Sequence, residues 1–362
     1  MTGRSRVGVS RERVSWYLYL VLSAAFAAIM LATWLLSRSI NGRDCATYIE
    51  IISGTACKPF AYRVLVPLLV RISQYLVPGS LHESIRASLV QQPVVQRAFS
   101  LLIWDTTLAF EYLLGVGWLY VAVYGFILSL KYLFDGLFRT PNEWFSRIVP
   151  WVALLGIRYL MRYVSYVYDL PALFLFTLGL ALMARKQWRA FLLVFLLASL
   201  NKETTILLTL VFVIHQWHVR RLEDRQFQFL LVAQLSIFAL VKGVLFVIFR
   251  ENPGTFVEMH LLDHNIDLLR KFLLRPSLAA EFPWMGLALL VFHNWPNKSR
   301  FLKDAIWILV PIFAMMPFLG MLDELRVYYE VVPIVVLLAT QSVAEIVGID
   351  IHVIGSEKRG TI

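Results

Sequence analysis

Charge is what this chain has least of. Asp, Glu, Lys and Arg together make up 16% of its 362 residues, against about a quarter in soluble domains. No stretch is long and polar enough to form a separate soluble domain, so residues 1–362 read as one integral-membrane domain. There is no GxGxxG, Walker A, HExxH or CxxC pattern, no repeat of fixed period and no low-complexity tract, which leaves no motif-level sign of a nucleotide loop, a zinc helix or a dithiol centre. Cysteine is nearly absent as well. Cys45 and Cys57 share one short segment; a disulfide is open to them in an oxidising compartment and two unpaired thiols are the alternative, because spacing does not give a Cα distance.

What the chain has instead is apolar sequence: 59% hydrophobic and 14% aromatic residues, and a mean hydropathy of +0.68. Apolar runs close to the ~20-residue spanning length recur throughout. The net charge of +10 belongs to short basic loops that set orientation rather than to a nucleic-acid surface, since no soluble module is present to carry one. Arg4, Arg6, Arg11 and Arg13 precede the first run, Trp16–Leu36, which is too long for a signal-peptide core and reads as an uncleaved anchor with residues 1–15 cytoplasmic. With 131–147, 185–189, 218–225, 298–303 and the 348–362 tail inside, the chain threads as an all-α, polytopic transmembrane bundle of about ten spans. These are 17–36, 106–130, 148–159, 171–184, two short arms within 190–214, 229–248, 282–292, 305–319 and 327–347. Residues 37–97 and 249–283 are outer loops, with 62–77 a candidate for the interface. The sequon at Asn297 falls on a cytoplasmic loop and is expected to be unmodified. Trp104, Trp144, Trp151 and Trp284 fall near span ends, as in an aromatic belt.

The run 190–214 is broken by Asn201-Lys202-Glu203. Each arm has about 11–13 residues, under ~20 Å of helix, too short for ~30 Å of hydrocarbon. The spacing predicts a hairpin whose polar turn lies at membrane depth in a wet or protein-lined cavity; one long helix with a buried ion pair is the alternative.

On this threading the ionisable residues set in apolar sequence collect at one face: Asp44, Arg63, Arg158, Arg162, Asp169, Lys202, Glu203, Asp323, Glu324, Arg326 and Glu330. Charge near hydrocarbon is costly and is usually kept for a site or pathway. Asp44, just past the first span, suits a general base or a helix cap. Arg63, Arg158 and Arg162 carry guanidinium groups that match phosphate oxygens, and the last two are four residues apart on one helix face. Lys202 adds a fourth cation. Glu324 and Arg326 read as a site pair or as an ion pair stapling a helix start, and Glu330 needs a partner, an arginine by this reading. Lys242 stands alone in its span with no evident acid. His260, Asp263 and His264 in the second outer loop suggest a metal site or, more simply, a loop that orders over substrate.

Asp44 followed by Tyr48, and the segment Phe60-Ala61-Tyr62-Arg63-Val64-Leu65-Val66-Pro67, resemble the polytopic glycosyltransferases of the GT-C superfold, most closely the small mannosyltransferase-like members. Asn201-Lys202-Glu203-Thr204 and Glu324-Leu325-Arg326 are shorter echoes. The resemblance covers 44–70 and implies an inverting transferase that takes a sugar from a polyprenyl-phosphate donor to an acceptor hydroxyl at the outer face of a bacterial or archaeal cell membrane. It implies Asp44 as base and Arg63 on the donor phosphate; the one-sided set of charges puts Arg158, Arg162 and Lys202 beside that phosphate, with Tyr48, Glu50, Asp169, Glu203, Glu324 and Arg326 in support. No cofactor is expected. Many members carry a second acid within two residues of the first; here Cys45 and Ala46 stand there, which counts against a divalent metal and leaves open a scaffold subunit without catalysis. A flippase for anionic lipid-linked intermediates is the third reading; it calls for polar residues continuing to the inner face.

Overall fold

The computed structural model describes residues 5–38, 40–41, 45–160, 166–219, 223–255, 264–274, 278–322 and 325–354. Its helices in chain order are α1 (Ser5–Arg38), α2 (Tyr48–Ser53), α3 (Leu65–Leu76), α4 (Gly79–Gln91), α5 (Pro93–Leu102), α6 (Ala109–Leu137), α7 (Glu143–Leu160), α8 (Asp169–Ala184), α9 (Trp188–Asn201), α10 (Ile206–His218), α11 (Arg225–Ile248), α12 (Ile266–Leu274), α13 (Leu278–Phe292), α14 (Arg300–Ala305), α15 (Leu309–Leu319) and α16 (Val332–Val347). Among the described residues the only β structure is a two-residue antiparallel ladder, β1 (Phe138–Arg139) with β2 (His352–Val353).

Among the described residues, five helical stretches are long and apolar enough to cross a membrane: Glu12–Leu36, Thr106–Leu137, Arg225–Ile248, Arg300–Leu319 and Tyr328–Val347. These are the proportions of an all-α membrane protein. Where helices lie in the bundle decides which of their faces are buried. α8 is apolar all round, and almost every residue from Asp169 to Met183 is buried, with α6 and α9 against it. Gly125 makes the α6–α8 approach possible, because a Cβ there would stand 2.7 Å from the Phe174 ring. α11 is the opposite case. It buries Phe227, Leu230, Gln234, Val241 and Leu245 while Phe229, Leu240 and Val247 are each more than 60% exposed, an apolar outer surface that water would disfavour and lipid would not.

The helix boundaries differ from the sequence expectation where polar pairs extend an apolar run. α6 continues to Leu137 because Lys131 and Asp135 pair four residues apart at 2.6 Å. α7 starts at Glu143 because Asn142 accepts from the Phe145 N–H and Glu143 pairs with Arg147. The last span begins as a 3-10 segment, Leu325–Val331, and becomes α-helical only at Val332, with Pro333 in its first turn. Residues 37–97, expected as an outer loop, contain helices α2, α3, α4 and the start of α5.

The break at Asn201-Lys202-Glu203 is a hairpin. Lys202 is extended, at φ −156° and ψ 149°, and ends α9. Trp188 at the start of α9 meets Phe212 of α10 with ring centroids 5.6 Å apart; a continuous helix would hold them about 36 Å apart. Val64 N–H donates to the Leu200 carbonyl at 2.9 Å and ties the Arg63 segment to the hairpin tip.

Candidate functional site

The hairpin tip gathers charge from four separate segments. Arg63 follows a 3-10 turn, Phe60–Tyr62, and its Nε donates to Glu203 Oε2 at 3.3 Å. Its guanidinium carbon stands 4.2 Å over the Tyr168 ring and 5.3 Å from that of Phe60, so both aromatics reinforce the cation. Lys242, reaching in from α11, places Nζ 3.5 Å from Glu203 Oε1. On the other side of the turn Lys202 Nζ donates to Glu330 Oε1 at 3.0 Å, and the Thr204 hydroxyl donates to the same oxygen. Asn201 Nδ2 donates to the Tyr168 carbonyl at 2.9 Å and so fixes the tip against the start of α8.

Burial grades these charges. Glu330 is 1% exposed and the Lys202 side chain 10%, whereas the Glu203 side chain is 35% exposed. An isolated ion at the Glu330 position would cost several kcal/mol, so Lys202 and Thr204 are required there. Glu203 is the less buried carboxylate, although its Oε1 and the Lys242 Nζ opposite are themselves buried, and Arg63 and Lys242 face it together. Three cations and two carboxylates leave one positive charge in surplus among these five. Glu330 Oε2 and Asn201 Oδ1 are buried acceptors without a hydrogen-bond partner among the described residues.

The structure brings together Arg63, Lys202, Glu203 and Glu330 of the residues singled out in the sequence, and corrects two assignments. Glu330 is matched by Lys202, not by an arginine; Lys202 is consequently committed to a buried carboxylate. Lys242 is not without an acid, since Glu203 is its partner. Lys242 thus joins the site from mid-span; the signal for it in the sequence is that a mid-span lysine needs a counter-charge.

Other candidates serve local structure. Tyr48 is fully buried, donates to the Glu111 carbonyl at 2.5 Å and stacks on Tyr112; burial pushes its phenol well above the usual range. Glu50 completes a capping box with Thr47 at the start of α2. Asp169 accepts from the Tyr166 N–H at 3.0 Å at the start of α8. Asp44, Arg162, Asp323, Glu324, His260 and Asp263 lie outside the described residues, as do the side chains of Arg158 and Arg326. Among the described residues no three His, Cys, Asp or Glu side chains form a metal-holding group.

Cys45 and Cys57 are disulfide-bonded, with Cα atoms 5.4 Å apart. The loop they close is held from the turn after α11: Asn252 Nδ2 donates to the carbonyls of Gly54 and Ala56, and Lys58 N–H donates to the Pro253 carbonyl at 2.8 Å. The residue next to Asp44 is thereby anchored six residues before Arg63. No family model, curated protein or solved structure matches this chain.

Proposed function

We propose that the chain is a multi-pass glycosyltransferase with a GT-C-like arrangement of about ten passes, N-terminus inside, moving a sugar from a polyprenyl-phosphate donor to an acceptor hydroxyl at the outer face of the membrane. The observation that carries this reading is the meeting of Arg63, Lys242 and Glu203 at one point beside the buried Lys202–Glu330 pair. Guanidinium and ammonium groups side by side suit a donor phosphate, which leaves as an anion and is stabilised by fixed cations in a dry site. Glu203 holds the place between the two cations that such a phosphate would share. Arg158 and Arg162 complete the phosphate contacts, and Lys202, locked on Glu330, fixes the turn that presents Glu203. Asp44 removes the acceptor proton as the acceptor oxygen attacks the anomeric carbon opposite the phosphate, inverting it. The bonded cysteines support an oxidising, hence outer, location for the loop that carries Asp44. Tyr48 and Glu50 support that loop rather than the chemistry.

The test is transfer by purified protein with a panel of polyprenyl-phosphate sugars. Activity that is abolished by Asp44→Asn and reduced about 100-fold or more by Arg63→Ala is expected; unchanged transfer in Asp44→Asn would sink the base assignment. One observation favours transport of an anionic lipid intermediate instead. Thr209 on α10 and Gln234 on α11 are buried, and Thr209 Oγ1 and Gln234 Oε1 have no hydrogen-bond partner among the described residues, so polar groups continue beyond the hairpin tip. Movement of such a lipid between leaflets of protein-containing vesicles, with no transfer, would decide for that reading.

A further inference from the structure

We infer that the cavity between the end of α6 and the start of α7 is a second ligand site, for a phosphate monoanion. It lies at the far end of α8 from the hairpin tip. Tyr168, at one end of that 16-residue helix, meets Asn201; Arg185, at the other, donates to the Tyr132 carbonyl of α6 at 3.0 Å. The two regions are therefore about 24 Å apart along α8.

The cavity encloses about 320 Å³, and Lys131, Asp135, Arg139, Glu143, Ser146 and Arg147 line it. Its charges do not cancel. Lys131 is taken by Asp135 at 2.6 Å and Arg147 by Glu143 at 2.6 Å, while Arg139 has no ion pair among the described residues and stands exposed at the rim. Arg147 is only 6% exposed. One of its terminal nitrogens donates to Glu143 and the other to the Ser15 hydroxyl of α1, but its Nε is buried with no acceptor among the described residues. A buried N–H left unmatched is destabilising. An anion with several acceptor oxygens meets both requirements: it accepts hydrogen bonds from the Arg147 guanidinium and neutralises Arg139. The first turn of α7 borders the same space and adds its partial positive charge.

The surroundings say where that anion comes from. Lys131 Nζ is 5.9 Å from the centre of the Trp16 ring, and the Arg147 guanidinium carbon is 5.8 Å from that of Trp144. Both indoles are at least 40% exposed, as are the adjacent Val14, Leu18 and Ile148. Tryptophan above an apolar surface marks the headgroup level of a bilayer, so the favoured source is the phosphodiester of an anionic phospholipid and the other source is free phosphate. Snorkelling alone would bring basic side chains to this level, but it requires neither a cavity nor selection among headgroups.

Native mass spectrometry of the detergent-purified full chain, offered phosphatidylglycerol or phosphatidylcholine of the same acyl composition, tests the site, together with a titration of inorganic phosphate. Retention of phosphatidylglycerol at least tenfold above phosphatidylcholine is expected, reduced about tenfold by Arg139→Glu and by Arg147→Lys, which removes the Nε donor. Arg86→Glu, at a half-buried arginine on α4 that pairs with Glu83, leaves it unchanged. Phosphate binding that depends on Arg139, without a lipid preference, supports the same site with a soluble ligand. Neither lipid preference nor phosphate binding, or an Arg139→Glu protein indistinguishable from Arg86→Glu, overturns the inference. Arg139 is exposed, so its substitution reads binding rather than folding.

Discussion

The two charged regions at the ends of α8 are built on different principles. At the hairpin tip the partners come from far apart in the chain: Arg63 and Glu203 are separated by 140 residues, and Lys202 and Glu330 by 128. At the cavity the pairs are local, Lys131 with Asp135 and Glu143 with Arg147, each four residues apart on one helix. Local pairs cost little to form and contribute little, about 0.3–0.5 kcal/mol each when exposed. Distant buried pairs exist only because the whole fold assembles them, and removing one member leaves a charge with no solvent to receive it. At the hairpin tip the cost of burying charge is offset only by partners that the whole fold brings in, while at the cavity each pair sits on one helix and Arg139 and the Arg147 Nε are left unmatched among the described residues.

The largest expected effect breaks the distant pair. Lys202→Met leaves Glu330 uncompensated and should lower stability by about 3–5 kcal/mol, read as a fall in thermal midpoint in detergent. Adding Glu330→Leu should recover most of that loss without restoring transfer. Equal stability of Lys202→Met and wild type would erase the contrast between the two regions. Next in size is Arg63→Ala, expected to lower transfer about 100- to 1000-fold with a smaller change in stability, because Glu203 retains Lys242 and one-third exposure. Cys57→Ser should cost about 2–3 kcal/mol by opening a 12-residue loop, and transfer should fall with it if Asp44 is positioned by that loop.

Lys298 sharpens the comparison from a third side. It is buried, and its Nζ donates to the Leu338 carbonyl at 2.7 Å and to the Ser342 hydroxyl. Burial lowers its ammonium to about 8. Because the folded value lies below the unfolded one, the unfolded chain binds more protons between about 8 and the ordinary lysine value, and stability rises with pH across that window. Lys298→Met should flatten the rise, which chemical unfolding at pH 7.5, 9 and 10.5 measures. The smallest effect belongs to Lys131→Ala, about 1 kcal/mol or less, because Lys131 is buried but the Asp135 it leaves behind is 40% exposed; a loss of several kcal/mol would mean the cavity end is as interdependent as the hairpin tip.

The hairpin was legible because arm length against bilayer thickness is a one-dimensional argument, and because Asn201-Lys202-Glu203 interrupts an otherwise apolar run. The long apolar helices were legible for the same reason. α4 and the start of α5 were not. Residues 79–97 mix polar and apolar side chains without a strong period, and the Pro93 that opens α5 is only a local signal. Four charges at the hairpin tip were legible one by one but not as pairs. Arg63, Lys202, Glu203 and Glu330 each stand out as charges in apolar sequence, yet which cation meets which carboxylate depends on how α8, α9, α11 and the 3-10 segment before α16 come together. That is why Glu330 was matched to an arginine in the sequence and to Lys202 in the structure, and why Lys242 looked solitary. Tyr48 and Glu50 misled in the other direction, since a capping box and a buried phenol use the same residue types as a site.

The central claim is that these distant charges share one chamber opening away from the cytosol, and side-specific labelling of Thr204→Cys tests it most directly. The native cysteines are bonded to each other, so the introduced thiol is the only one expected to react. With a membrane-impermeant maleimide, the account predicts modification in intact cells and protection in sealed inside-out vesicles. Modification from the cytosolic side alone would contradict it.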